Sequence, residues 1–239
     1  MKPLVEESAR TFSVADALAR RAPYDWSRID PRNGPGYIRV VGDQPPRPRE
    51  VVTNMKPGFD YRRNGGGLMV ALVPELLAFA DEVWRIDRPA DPVPLLPISG
   101  TGWFKARSVR LIERLEPWQT LGRNGTAILD LIRALQSVNP AESWASGNES
   151  LELTATELRS SLPSRRLLSN GDPALALLMA AWRRVSATLI TRALEVDPAA
   201  VVWEKSMGNG EEGYLAREPW LRIRELAYRE TARLILKGA

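Results

Sequence analysis

The segment IDRPADPVPLLPISGTG, Ile86–Gly102, packs four prolines and two glycines into one stretch. Proline lacks a backbone donor and clashes with the preceding helical turn, so neither a helix nor a central strand runs through such a segment. Any fold built from this chain must be organised around that break. It predicts two regions: residues 1–99, a mixed region with Pro/Gly-rich loops, and residues 100–239, a helical domain.

Within the first region, Phe12, Ala15, Leu18 and Ala19 recur at helical spacing, with Ser13 placed to cap the first turn and Pro23 to stop the chain. YIRVV (37–41) and EVVTNM (50–55) are short β-branched runs joined by GDQPPRPR, and LMVALV (68–73) reads as a third strand. Pro74 and Glu75 then open a helix whose apolar face is Leu76, Leu77, Phe79, Ala80, Val83 and Trp84.

Beyond the break the spacing predicts helices over 103–116, 126–138, 154–163, 172–196 and 219–237. A capping box, Thr154 to Glu157, starts the third, and Asp172-Pro173 starts the fourth. KSMGNGEEG (205–213) reads as a flexible loop. The expected fold is mainly α, with a small antiparallel β element in the N-terminal third; α+β is the alternative.

The chain of 239 residues has no Cys and no His. Thiolate chemistry, zinc fingers, iron–sulfur clusters and imidazole acid–base catalysis are thereby excluded. A metal site would have to be built from oxygen ligands, and no carboxylate spacing specifies one, so neither metal nor cofactor is expected. No apolar run approaches the length of a membrane span, and the N-terminus lacks an apolar leader core, so a cytoplasmic protein without membrane partners is expected.

Tyr61 to Glu75, YRRNGGGLMVALVPE, raises the question of a phosphate loop. It lacks the Lys-Ser/Thr ending of a P-loop, and its glycines precede the strand instead of joining strand to helix. What remains is Arg62 and Arg63 beside bare backbone amides, a surface able to follow a nucleic-acid backbone.

Arginine supplies 28 of the 33 basic residues, although the net charge is only +4. Guanidinium groups match phosphates bidentately and stack on bases. On a 103–116 helix, Arg107, Arg110 and Arg114 would share one side, with Lys105 and Arg123 nearby and Trp103 and Trp118 bracketing them. A solvated face with two core tryptophans is the competing account. On the last helix, Glu218 precedes Arg222 and Glu225 precedes Arg229 by four, so that face neutralises itself. The segment WEKSMGNGEEGY resembles glycine-rich loops that lie on RNA in the RNA-processing nucleases of CRISPR systems, although Glu211 and Glu212 oppose phosphate contact.

The leading expectation is a nucleic-acid-binding protein for RNA or single-stranded DNA, with RNA favoured, such as a subunit of a ribonucleoprotein complex. Its phosphate contacts would be Arg107, Arg110, Arg114, Arg123, Lys105, Arg62 and Arg63. The alternative is a structural or assembly protein, a phage component or homo-oligomer, with other protein subunits as partners. A His-free RNA-processing nuclease comes third.

Overall fold

The computed structural model describes residues 12–29, 34–40, 60–62, 68–87, 102–106, 108–138, 140, 172–206 and 210–238. The expected 50–55 strand and 154–163 helix lie outside these residues, as do Arg63 and Arg107. The chain divides into two compact units. One comprises Ala22–Gly125 and Pro163–Leu177; the other comprises Met1–Arg21, Thr126–Leu162 and Leu178–Ala239.

The first unit is built on a six-stranded antiparallel sheet. Its strands are β1 (Gly36–Val40), β2 (Asp60–Arg62), β3 (Leu68–Ala71), β4 (Glu82–Asp87), β5 (Trp103–Ala106) and β6 (Ser108–Arg114). Their spatial order is β2-β6-β4-β1-β3-β5. In a flat sheet, four strand spacings would separate β5 from β6, about 19 Å at the usual interval. Yet one residue joins Ala106 to Ser108, a reach of no more than about 7.6 Å. The sheet therefore curls until its ends approach, as in a small barrel. Ile38, Leu68, Val70, Trp84, Ile86, Ala106, Val109 and Leu111 fill the curl with Phe104 against them, one apolar cluster drawn from five strands. A second cluster of Ala71, Leu77, Val83 and Leu115, with Tyr37 and Trp103, lies on the other side.

This architecture corrects two helix expectations and the fold class with them. The 103–116 segment is two strands, and 74–84 is a single 3-10 turn, Pro74–Leu77, followed by β4. The chain is an α+β protein, not a mainly α one. A bulge explains the first error. Arg85 faces Glu113 while Ile86 faces Leu111, so Ile112 is an extra residue in β6. Val109 faces the first cluster and Leu115 the second, with the bulged Ile112 between them, and three apolar residues at intervals of three along the sequence imitate a helix. The second error has a different cause. Val83 and Trp84 are both buried because both faces of β4 are covered, which erases the alternation that marks a one-sided strand.

The second unit is helical with one β-ribbon. Its helices are α1 (Val14–Arg20), α2 (Gly125–Ala134), whose first residue belongs to the barrel unit, α3 (Pro173–Val196), whose first turn does too, and α4 (Glu218–Gly238). Ser13 Oγ accepts from the Asp16 amide and caps α1. Asp172 accepts from the Ala174 and Leu175 amides and caps α3. Within this unit α1 packs on α4. Leu178, Ala181, Val185, Leu189 and Ala193 form a fully buried stripe at helical spacing along α3. By length and composition α3 could also cross a bilayer. It carries adjacent exposed Arg183 and Arg184 at mid-length.

The region expected to be a loop at 205–213 is the outer part of a ribbon, β7 (Val201–Ser206) paired with β8 (Gly210–Leu215). The signal was present in the sequence: only three residues, Met207-Gly208-Asn209 with a glycine among them, separate the runs VVWEKS and GEEGYL, a spacing suited to a hairpin.

Candidate functional site

The predicted arginine face does not exist as a helix face. Arg110 and Arg114 lie on β6, Lys105 on β5, Arg62 on β2 and Arg123 in the turn before α2. The register brings some of them near one another, with Arg62 opposite Ser108 and Lys105 opposite Met69, one residue from the Leu68–Ala106 pair. Two members of the set are set against acids. Arg114 Nε is 3.7 Å from Glu82, whose Oε1 also accepts from Trp84 Nε1 at 2.7 Å. Arg110 stands in register between Asp60 on one side and Asp87 on the other. The neighbouring Arg85 is bound to Glu113 at 2.7 Å. Arg110 and Arg114 do not share a face: Arg110 stands opposite Asp87, and Arg114 lies on the face of Trp84 and Glu82.

A cleft of about 240 Å³ adjoins this face, with exposed Asp81, Arg114 and Glu116 and buried Thr120 among its walls. Thr120 Oγ1 donates to the Pro117 carbonyl, so its proton is already used. Two carboxylates beside one guanidinium do not make an anion site. Trp118, in the adjoining 3-10 turn, is 45% exposed, contrary to a core role, and Arg123 is exposed three residues past that turn.

On the barrel unit, burial raises the Glu75 carboxyl above its usual range. Burial, then Glu75, then Asp172, raise the Tyr24 hydroxyl. Tyr24 rests against Trp26 with centroids 4.5 Å apart. The Trp26 ring in turn occupies the space beside Gly102 (φ +69°), where a Cβ would come within 2.2 Å of it. Because Glu75 is harder to ionise when folded, its contribution is fully present below the unfolded carboxyl pKa and is lost as pH rises through the folded one. Glu75→Gln should therefore raise the melting midpoint at pH 7 and leave it unchanged at pH 4; equal midpoints at both pH values would contradict this.

In the helical unit, α4 carries buried Arg224, Glu225, Tyr228, Glu230 and Thr231. Arg224 lies 5.0 Å from the Trp182 ring centroid, and Tyr228 meets the same ring edge-on at 4.8 Å. Arg224 reaches Glu225 at 3.5 Å, while Glu230 holds Arg233 through two hydrogen bonds. Burial, with Glu225 adding, pushes the Tyr228 hydroxyl upward, so it stays protonated at all ordinary pH values. The pairing makes this a structural network holding α3 to α4.

Among the described residues, three of the six exposed large hydrophobic side chains lie on the β7–β8 ribbon. Trp203 is 56% exposed, Val202 42% and Tyr214 39%. Val202 and Tyr214 are register partners, so they form one patch on one face. Trp203, on the other face, covers Gly213, where a Cβ would meet its ring at 3.3 Å. The base of the ribbon is fixed: Val201 and Leu215 are buried, the Ala216 amide donates to Ala200, and Arg217 is bound to Asp197 at 2.5 Å. No residue of this ribbon is among the predicted contacts.

Comparison of the chain with protein-family models, with curated proteins and with solved structures finds no match.

Proposed function

We propose that this protein is an assembly subunit that docks onto another protein through the β7–β8 ribbon. The observation that carries this reading is a firmly anchored ribbon with apolar side chains exposed on both faces, Val202 with Tyr214 on one and Trp203 on the other. Aromatic residues on a rigid support lose little side-chain entropy on binding and are the usual anchors of protein interfaces. The ribbon is also a two-stranded sheet with no third strand among the described residues, which leaves its edges able to accept one. A photo-crosslinking amino acid placed at Trp203 should give one discrete protein adduct in cells. The same group at exposed Ala187 on α3 should not. Absence of an adduct at 203, or the same adducts from both positions, would overturn the reading.

A second reading retains nucleic acid as the ligand, at a smaller site than the sequence suggests. Exposed Trp118 and exposed Arg123 flank one turn of the barrel unit, an aromatic platform beside a cation with no ion-pair partner among the described residues. Its test is a titration with labelled single-stranded RNA at two salt concentrations. Binding that weakens with salt, and falls about tenfold or more in Trp118→Ala with Arg123→Ala, supports it. No binding at low salt removes it.

A further inference from the structure

The cleft on the barrel unit has the chemistry of a cation site, independently of the ribbon. Its charged side chains are Asp81, Arg114 and Glu116, and Arg114 is already set against Glu82 at 3.7 Å. Asp81 has no side-chain hydrogen bond or ion pair among the described residues. Glu116 accepts from the Gln119 amide, which uses one of a carboxylate's roughly four lone-pair sites. Thr120 is 3% exposed, and with its proton on the Pro117 carbonyl it has only lone pairs left to offer. Acceptors therefore surround a space whose single cation is answered from outside it. The walls are fixed by the fold itself. The Leu115 amide donates to the Val83 carbonyl at 2.8 Å, and the Glu116 amide donates to the Gln119 side chain at 2.6 Å. Phe79, two residues before Asp81, has a φ of 59°, a conformation costly for a residue with a side chain and kept only where its surroundings demand it.

We propose that this cleft binds a small aliphatic polyamine. An ammonium group carries three donors and no acceptor, which matches two carboxylates and a hydroxyl lone pair. Asp81, Glu116 and Thr120 hold that group, and the methylene chain lies along Val83, Leu115 and Pro117, which line the same space. The volume of about 240 Å³ equals roughly eight waters, far more than a bare ion needs. Among the described residues no group of acids could hold a metal ion, so the site suits an organic cation instead. A phosphate or a carboxylate would meet charges of its own sign.

The test is isothermal titration calorimetry of the full chain with spermidine. At low salt it should bind at one site per chain with a dissociation constant of about 1 mM or tighter, weakening in high salt. An uncharged diol of the same chain length should bind at least tenfold more weakly. Asp81→Asn should weaken spermidine binding about fivefold, and Asp81→Asn with Glu116→Gln at least tenfold, with the melting midpoint of each unchanged because Gln keeps the cap's acceptor. Arg114→Gln removes the only cation of the cleft and should tighten binding about threefold, a gain that a misfolded variant could not give. No binding at low salt, equal binding of spermidine and the diol, or an affinity unmoved by the double substitution overturns the proposal. If Nα-acetyl-lysine amide binds as tightly as spermidine, the cleft takes a lysine side chain of another protein and the polyamine assignment fails.

Discussion

Leu111→Ala should lower the stability of the barrel unit by about 2–5 kcal/mol, the usual cost of truncating a fully buried leucine. Leu111 has no exposed surface and sits within the cluster that fills the curled sheet, in register with Ile86. Next to it the β6 ladder is already interrupted by the Ile112 bulge, so the backbone is poorly placed to collapse into the space left behind. For a chain of this size each 1 kcal/mol moves the midpoint by about 2–4 °C, so a fall of about 5 to 20 °C is expected by calorimetry or near-ultraviolet circular dichroism. Trp84 lies in the same cluster and should report the change by fluorescence. A fall below about 3 °C would mean that the interior is looser than the burial of its side chains implies.

Gly125→Ala should be as damaging for a different reason. Gly125 opens α2, and its amide donates to the Gly122 carbonyl at 3.1 Å. A Cβ there would stand 1.9 Å from the Trp118 carbonyl oxygen and 2.9 Å from its carbon. Both are backbone atoms of the 3-10 turn Pro117–Thr120, which is held by reciprocal capping between Glu116 and Gln119. The obstacle cannot rotate away as a side chain would, so either the turn or the start of the helix must move. A loss of about 3 kcal/mol or more is expected. The neighbouring Gly122 supplies the contrast. It has a positive φ of 76° but its nearest contact for a Cβ is 3.6 Å, so Gly122→Ala carries only backbone strain, about 1–2 kcal/mol. A Gly125→Ala midpoint equal to that of Gly122→Ala would show that the close contact does not govern the turn. This region carries Trp118 and Arg123, so Gly125→Ala should also disturb any RNA binding that depends on them.

The functional conclusion depends on the same distinction between isolated residues and their neighbours. Arg110 and Arg114 are exposed, as an arginine-rich sequence suggests, but β4 sets Asp87 in register with the first and Glu82 beside the second, from more than twenty positions away in the chain. The ribbon works in the opposite sense. Its sequence looks like a glycine-rich loop, but pairing Val202 with Tyr214 makes an apolar patch of residues twelve positions apart.

What the sequence alone determined is local. Ser13 and Asp172 cap the helices they precede because an N-cap needs only a short polar side chain within three residues of the amides it accepts from. The strand at 68–71, the long helix from Pro173 and the last helix from Glu218 follow from short-range pattern, and the loss of imidazole and thiol chemistry follows from composition. The state of 74–84 and 103–116 was decided only by tertiary structure. A run of apolar residues buried on both faces carries no alternation, and a bulge between two strand halves that bury opposite faces breaks it, so only the partner strands settle the register. Whether an exposed arginine is free to hold a phosphate is likewise a question of what lies across the ladder. Backbone pairing over long sequence separations sets what lies there, at distances that propensity and spacing do not reach.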